Sequence, residues 1–338
     1  MKAFICKRVR KIGFPINMKL GVFNPIYFHK SFDEFLDASK DLGLDAIEIA
    51  CANYPGTKHC DARHLLANSD ELAAFKKKIQ DHDLIISALS CHGNPLHPSA
   101  SISEAHKQGQ RDTILLASKL GVERMVVFSG CPGDSDSSKY PNWVTSAWPE
   151  DYPKILDWQW KEKVIPFWQK EAEFAEKNGV DKICVEMHPG FVVYNPETMI
   201  KLTESAGKVV GANFDPSHMF WQGIDPCVAI RKLAGSIYHF HAKDTQLDPQ
   251  NIVTNGVLDA KSYSGLKDRA WYFRTVGYGH DAIVWKNIMS ALRLVGYDHV
   301  VSIEHEDAFL SREEGLRRAV EFLKSLLIIE SPSEAWWT

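Results

Sequence analysis

Short apolar runs alternate along the chain with longer stretches in which apolar positions recur every three or four residues. The first pattern predicts buried strands and the second amphipathic helices. Lys19–Phe23, Ala46–Ala50, Leu84–Ser90 and Met125–Ser129 are the first four predicted strands. Between them lie the predicted helices Ser31–Leu42, Asp70–Asp81 and Ser103–Leu120. Ser31 with Glu34 forms a capping-box signature, and Gly43 and Gly121 are stop signals. A further helix, Glu162–Lys177, ends at Asn178-Gly179; four more strand-like segments follow, and Glu313–Leu327 closes the series.

Strict strand–helix alternation predicts a parallel sheet with helices outside it, and eight such units predict an α/β fold, a single (β/α)8 TIM barrel. The barrel is expected over residues 18–330, with 1–17 as an N-terminal extension or alternative start and 331–338 as a C-terminal tail that packs on its own barrel or a neighbour. Two stretches are too long for simple connections. One runs from Gly130 to about Gln159 with Tyr140, Trp143, Trp148, Tyr152 and Trp158; the other runs from about Gln246 to His280 with Tyr263, Trp271, Tyr272 and Phe273. Both follow strands, so both are expected on the C-terminal face as aromatic-rich lids.

The last four strand segments end on unusual residues: Lys182-Ile183-Cys184-Val185-Glu186, Gly211-Ala212-Asn213-Phe214-Asp215, Ile237-Tyr238-His239-Phe240-His241 and Val300-Val301-Ser302-Ile303-Glu304. A carboxylate closing an apolar strand is costly to bury unless paired or bound to metal. For one glutamate a buried ion pair explains it as well; for four in sequence, convergence at one rim explains more. Glu186, Asp215, His241 and Glu304 are therefore the expected metal ligands, a mixed carboxylate–imidazole set suited to Mn²⁺, with Mg²⁺, Co²⁺ or Zn²⁺ as alternatives. His188 lies two residues past a ligand and is expected in the pocket as a base or orienting group. His92, on a sharp turn after the third strand, and His218, three residues past Asp215, are expected substrate contacts. Arg274 is expected to hold a substrate oxygen. Glu48, a carboxylate inside the second strand, is expected to contact or support the substrate site.

Charge and composition narrow the partners. The chain has 39 basic and 43 acidic residues, net −4, and no basic block or zinc-finger spacing, so nucleic acid is not an expected partner. No apolar run is long enough for a bilayer. Seven scattered cysteines point to reduced thiols and a cytoplasmic protein.

The motifs Val185-Glu186, Asn213-Phe214-Asp215-Pro216-Ser217-His218, His239-Phe240-His241-Ala242-Lys243-Asp244 and Ser302-Ile303-Glu304 resemble the sugar isomerase/epimerase superfamily of xylose-isomerase-like barrels. That superfamily includes D-tagatose/D-psicose 3-epimerases and inosose-metabolising enzymes, and the resemblance spans Met18 to about Leu327. It implies a divalent ion on adjacent oxygens of a keto sugar and a metal-stabilised enediolate. It also implies that Glu186 and Glu304 remove and return the proton from opposite faces, while His218 touches a substrate oxygen. Three features depart from the ketohexose epimerases. Val192 stands where they carry a further substrate-binding glutamate, and the chain is longer. The Ser90–Pro98 motif and the Gly130–Trp148 stretch are more similar to the branch acting on 3-oxo-glycosides, which includes 3-keto-sugar epimerases and C-glycoside deglycosidase large subunits. Two outcomes follow from the same proton removal: epimerisation or isomerisation, or a lyase reaction expelling the aglycone by β-elimination. The first fits a homo-oligomer, the second a hetero-oligomer with a small partner subunit. A nuclease on the same fold would need a basic groove and more histidine ligands, and a non-catalytic sugar-binding barrel would not need four intact ligands.

Overall fold

A computed structural model describes residues 18–330 and Trp337. The expectations for 1–17 lie outside the described residues, as do those for 331–338 apart from Trp337, whose side chain is exposed. Ten strands lie among the described residues: β1 (Lys19–Phe23), β2 (Ala46–Ala50), β3 (Ile85–Ser90), β4 (Arg124–Phe128), β5 (Lys182–Glu186), β6 (Val210–Phe214), β7 (Ile237–Ala242), β8 (Asp244–Leu247), β9 (Trp271–Arg274) and β10 (Val300–Ile303). Eight of them, all pairing in parallel, close a barrel in the order β1-β10-β7-β6-β5-β4-β3-β2. The main apolar core lies between these strands and the outer helices. A separate small cluster of Ala88, Val126 and Cys184 comes from three neighbouring strands.

Local chemistry sets the helix ends. Ser31 and Glu34 exchange both bonds of a capping box at the start of Phe32–Asp41. The 21-residue helix Ala100–Leu120 ends at Gly121, whose left-handed backbone (φ 75°) a side chain would oppose.

Two ladders slip by one residue. Between β2 and β3 the slip falls at Ile47/Glu48 and leaves Ser87 extra; between β6 and β7 it falls at Ala212/Asn213 and leaves Tyr238 extra. Each freed carbonyl finds a side chain: His299 Nε2 donates to Ser87 O at 3.1 Å, and Arg124 Nε donates to Tyr238 O at 3.0 Å. Burial, then the positive charge of Arg124, pushes His299 down to about 4. The unfolded chain takes that proton near 6.5 and the folded chain only near 4. The stability due to neutral His299 is thus full above pH 6.5 and is lost as pH falls toward 4, by about 2 kcal/mol at pH 5. His299→Asn should flatten the fall in urea-unfolding stability between pH 7.5 and pH 5; an unchanged difference would contradict this account.

The second long connection is not a plain loop. It contains the helix Pro249–Asn255 and an antiparallel pair, β8 with β9, in register Asp244↔Arg274 to Leu247↔Trp271. Asp244, wholly buried, fastens its return. One oxygen, Oδ2, accepts from the backbone N–H groups of Gly277, Gly279 and His280 at 3.0–3.2 Å and from Trp285 Nε1 at 3.1 Å. The other accepts from His280 Nδ1 at 2.8 Å. Position 279 must be glycine here, because a Cβ would stand 2.4 Å from Thr245 O.

The first long connection holds the helix Asp151–Trp158, then a π-helical stretch Gln159–Val164, then the helix Ile165–Lys177. Gln159, fully buried, pins it: its Nε2 donates to the carbonyls of Pro132, Gly133 and Asn142. Tyr140 and Trp148 are 77% and 76% exposed, so the expected aromatic cover does not include them. No described helix is long and apolar enough to cross a membrane.

Candidate active site

The barrel's C-terminal rim brings the four strand-end residues together. Glu186 is the last residue of β5, and His241 lies one residue before the end of β7. Glu304 follows β10, and Asp215 follows β6 as the N-cap of the short helix Pro216–Phe220. One potential ligand atom from each of the four lies within 4.8 Å of all the others. Bonds of about 2.1 Å to one ion place neighbouring donors roughly 3–4 Å apart, so this spacing fits.

The hydrogen-bond pattern tests the fit more sharply. Asp215 Oδ2, His241 Nδ1 and Glu304 Oε2 are buried and make no well-formed hydrogen bond among the described residues; Lys243 Nζ stands 3.4 and 3.0 Å from the two oxygens, and Nδ1 and Oε2 are only 2.9 Å apart. Their opposite atoms are engaged: Asp215 Oδ1 accepts from Ser217 N at 2.8 Å, and His241 Nε2 is 2.9 and 3.0 Å from the two Glu48 oxygens. Buried polar atoms are rarely left unpaired, and a shared divalent cation would satisfy all three. Two other groups share the same span. Glu48–His239–His241 has its atoms committed to hydrogen bonds, and Glu186–His188–His218 borrows one carboxylate of the first set.

Beneath this floor lies a buried polar layer. Glu48 accepts from Ser90 Oγ (2.5 Å), Ser302 Oγ (2.7 Å) and His241, and is itself wholly buried. Burial opposes its charge, but His241 and His239 overcome it and draw Glu48 down to about 2. Glu48 lines neither the main chamber nor its neighbour; of the roles expected for it, substrate contact is corrected to support of His241. A carboxylate on the far nitrogen fixes which ring nitrogen faces a metal. Glu48→Gln should weaken Mn²⁺ affinity about 10–100-fold, as measured by chelator competition; unchanged affinity would remove Glu48 from this role. Asn213 Nδ2 likewise donates to Glu186 Oε2 at 3.1 Å, and Asn213 Oδ1 meets His239 Nδ1 at 3.0 Å.

Above the floor opens a chamber of about 740 Å³ whose walls include Glu186, Glu304, His92, His188, Lys243, Tyr263, Tyr272 and Phe273. His92 Nε2 donates to Glu186 Oε2 at 3.0 Å, so it both lines the chamber and holds the carboxylate. His188 Nδ1 donates to Pro189 O at 2.7 Å, leaving Nε2 as the acceptor. Burial, then neighbouring His218, pushes His188 down to about 3, so it is neutral near pH 7. Burial opposes charge on Glu186, yet His218, His241 and His92 hold it well below the usual range. Glu304 is held low by Lys243 and His241, again against burial.

Two expected residues lie outside the wall of this chamber. Arg274 is not in the chamber wall: its guanidinium binds Asp307 at 3.2 Å and the Gln246 side chain, and it covers Phe309. The expectation that it grips a substrate oxygen is corrected on that ground. His218 lines a smaller neighbouring chamber, its ring 4.2 Å from that of His188, with Nε2 3.3 Å from Glu186 Oε1 and 3.4 Å from Asp215 Oδ2.

Lys243 is the residue that sequence reasoning left without a role. It is 3% exposed, with Nζ 3.0 Å from Glu304 Oε2, 3.4 Å from Asp215 Oδ2 and 3.6 Å from Glu306 Oε2, over the Phe273 ring. Burial opposes its charge, but Glu304, Glu306 and Asp215 keep it protonated well beyond its ordinary range. The signal was available: the alternation that pairs His239 with His241 extends to 243.

Comparison with known proteins adds the following. The family described as "Xylose isomerase-like TIM barrel" matches residues 36–326. The uncharacterized protein YfiH of Bacillus subtilis (strain 168) is 36% identical over 312 residues, which cover 92% of this chain and 99% of that one. Among solved structures, the IOLI protein with a binding zinc atom superposes with a TM-score of 0.63 at 20% identity, covering 92% of this chain and 98% of that one. The probable 3-DHS dehydratase AsbF of Bacillus anthracis gives 0.63 at 18% identity, covering 91% and 99%.

Proposed function

The chain belongs to the xylose isomerase-like TIM-barrel family, and from that premise we propose that it is a divalent-metal-dependent sugar isomerase or epimerase. Its substrate is a keto sugar or 3-oxo-glycoside, and its reaction is removal and return of the proton beside the carbonyl. The observation that carries this reading is the pairing of two carboxylates with an unsatisfied floor. Glu186 and Glu304 reach the chamber from β5 and β10, which β6 and β7 separate, so they approach a bound carbon from different sides. With them converge atoms of Asp215, His241 and Glu304 that are buried without a well-formed hydrogen bond among the described residues.

Glu186, Asp215, His241 and Glu304 would hold the ion. When bound, it would supply Lewis acidity that makes the proton beside the carbonyl more acidic. The protein supplies the rest. Glu186 and Glu304 are kept ionised by their neighbours, so each can accept a proton from carbon, and whichever accepts first leaves the other to serve the opposite face. Lys243 stands beside Glu304 and presents a fixed positive charge where negative charge grows on substrate oxygen. His188, neutral with Nε2 as acceptor, can orient a substrate hydroxyl.

The chamber's charge narrows the substrate. Glu186, Glu304, Glu306 and Asp307 line it against one lysine, which disfavours a phosphorylated sugar and favours a neutral one. Loss of a leaving group after the same proton removal is the second reading. The adjoining chamber beyond His188 gives it room, and it would bring a small partner subunit into the account.

The test uses Mn²⁺-loaded protein in D₂O with a 3-oxo-glucoside bearing an aryl aglycone, followed by NMR and mass spectrometry. Deuterium beside the ketone in an intact glycoside supports the isomerase/epimerase; released aglycone supports the lyase. Neither product from this glycoside or from a panel of neutral keto sugars would overturn both.

A further inference from the structure

A second chamber of about 440 Å³ adjoins the first, and His188 and Tyr263 line both. Its aromatic walls come from three separate segments: Trp143 from the first long connection, Trp221 after the β6 ligand, and Tyr263 and Trp271 from the second long connection. Trp221 and Trp271 stack at 4.8 Å with an interplanar angle of 6°, and Tyr263 meets Trp271 edge-on. Trp221, Ala270 and Trp271 form an apolar cluster distinct from the barrel core, with Trp143 packed against it.

Two features of this chamber point to a ligand. The indole N–H groups of Trp143 and Trp221 are buried and have no acceptor among the described residues. A buried tryptophan N–H ordinarily finds a partner, so two unpartnered ones at one cavity indicate a missing acceptor. The chamber's charge is also spoken for. No lysine or arginine lines it, and the carboxylate of Asp259 already accepts from Ala270 N, Lys261 N and Lys261 Nζ at 2.7–3.0 Å. An anionic group such as a phosphate would find no counter-charge there. Flat apolar walls with spare donors suit a neutral ring that carries oxygen acceptors.

We propose that this chamber is a subsite for the second ring of a two-ring glycoside, with the reacting keto-sugar ring in the main chamber and the glycosidic bond passing His188 and Tyr263. This rests on the proposed carbonyl-adjacent proton transfer and adds the size and polarity of the substrate. The second ring is a neutral oxygenated six-membered ring, supplied either by a phenol or by another sugar. A free monosaccharide would leave the chamber unused and forgo its binding contribution to turnover.

The experiment compares a free 3-oxo-hexose, 3-oxo 4-methoxyphenyl β-glucoside and 3-oxo-cellobiose as substrates of the full-length Mn²⁺-loaded protein, scored by deuterium exchange beside the ketone. The two-ring substrates should exceed the free sugar by tenfold or more in kcat/KM. Ala260→Trp, which fills the chamber from an exposed wall position, should reduce that preference at least tenfold. Thr145→Trp, from the opposite segment, serves if the first variant does not fold. Equal kcat/KM for one-ring and two-ring substrates, or a preference that survives filling, overturns the subsite and leaves the functional reading standing. Calorimetric titration with unoxidised 4-methoxyphenyl β-glucoside and cellobiose separates the opposite failure. Binding that chamber-filling weakens tenfold, with no exchange on any keto sugar, retains the subsite and overturns the chemistry. The stronger-binding probe shows whether the second ring is a phenol or a sugar.

Discussion

Glu304→Gln and Glu186→Gln should each lower interconversion of the two epimers by about 10³-fold or more, in line with the loss of a positioned general base together with its charge. The amide is nearly isosteric and still offers an oxygen to a metal, so the loss should exceed any change in bound Mn²⁺. Metal content by atomic emission and the thermal midpoint are therefore measured beside the rate. The two variants should also differ from each other. Glu186 is held by His92 and Asn213 within hydrogen-bond distance, whereas Glu304 Oε2 has the Lys243 ammonium 3.0 Å away. If each carboxylate serves one face of the reacting carbon, one variant should still exchange the proton of a single epimer while failing to interconvert the pair. Both variants turning over within tenfold of the parent, with metal intact, would end the two-carboxylate mechanism.

Lys243→Met should lower kcat by about 10²–10³-fold, the usual consequence of removing one preorganised positive group from a water-poor site. Methionine keeps much of the stem's volume against the Phe273 ring but withdraws the charge that lies among Glu304, Glu306 and Asp215. A merely structural lysine would change the thermal midpoint and leave the rate per folded molecule alone. A role in charge stabilisation would instead appear chiefly in kcat. An unchanged kcat for well-folded, metal-loaded Lys243→Met would remove it from the chemistry.

The eight barrel strands were legible in the sequence because each is a short apolar run bounded by turn residues. Glu186, Asp215, His241 and Glu304 were legible because a charged or imidazole group at the end of such a run is costly without a partner. Depth was harder to see. Glu48 and Glu186 look alike on paper, yet one lies below the floor and the other in it, and the slip at Ile47/Glu48 shifts the register just where Glu48 begins to face its partners. Arg274 was misplaced because its partner Asp307 is distant in sequence, and nothing local announces their pairing. The β8–β9 ribbon stayed hidden because its four-residue strands carry Thr245, Gln246 and Arg274, and their pairing is made across a long excursion. Lys243 was passed over because a lysine after a strand is ordinarily a solvated surface residue. Only the carboxylates gathered from β6 and β10 make it an interior one.

The knot of bonds on Asp244 has a consequence for adaptation. That side chain directly follows Lys243, and it clamps the chain where it returns from the ribbon, so both ends of the excursion are tied to the barrel at one point. What lies beyond the clamp, from the helix Pro249–Asn255 to the turn before β9, supplies chamber walls without setting the position of any proposed metal ligand. It is an exchangeable module. Grafting that segment from a relative with different substrate tastes would retune which glycoside is accepted while leaving the proton-transfer machinery untouched, and new specificities could arise along the same route by insertion and drift.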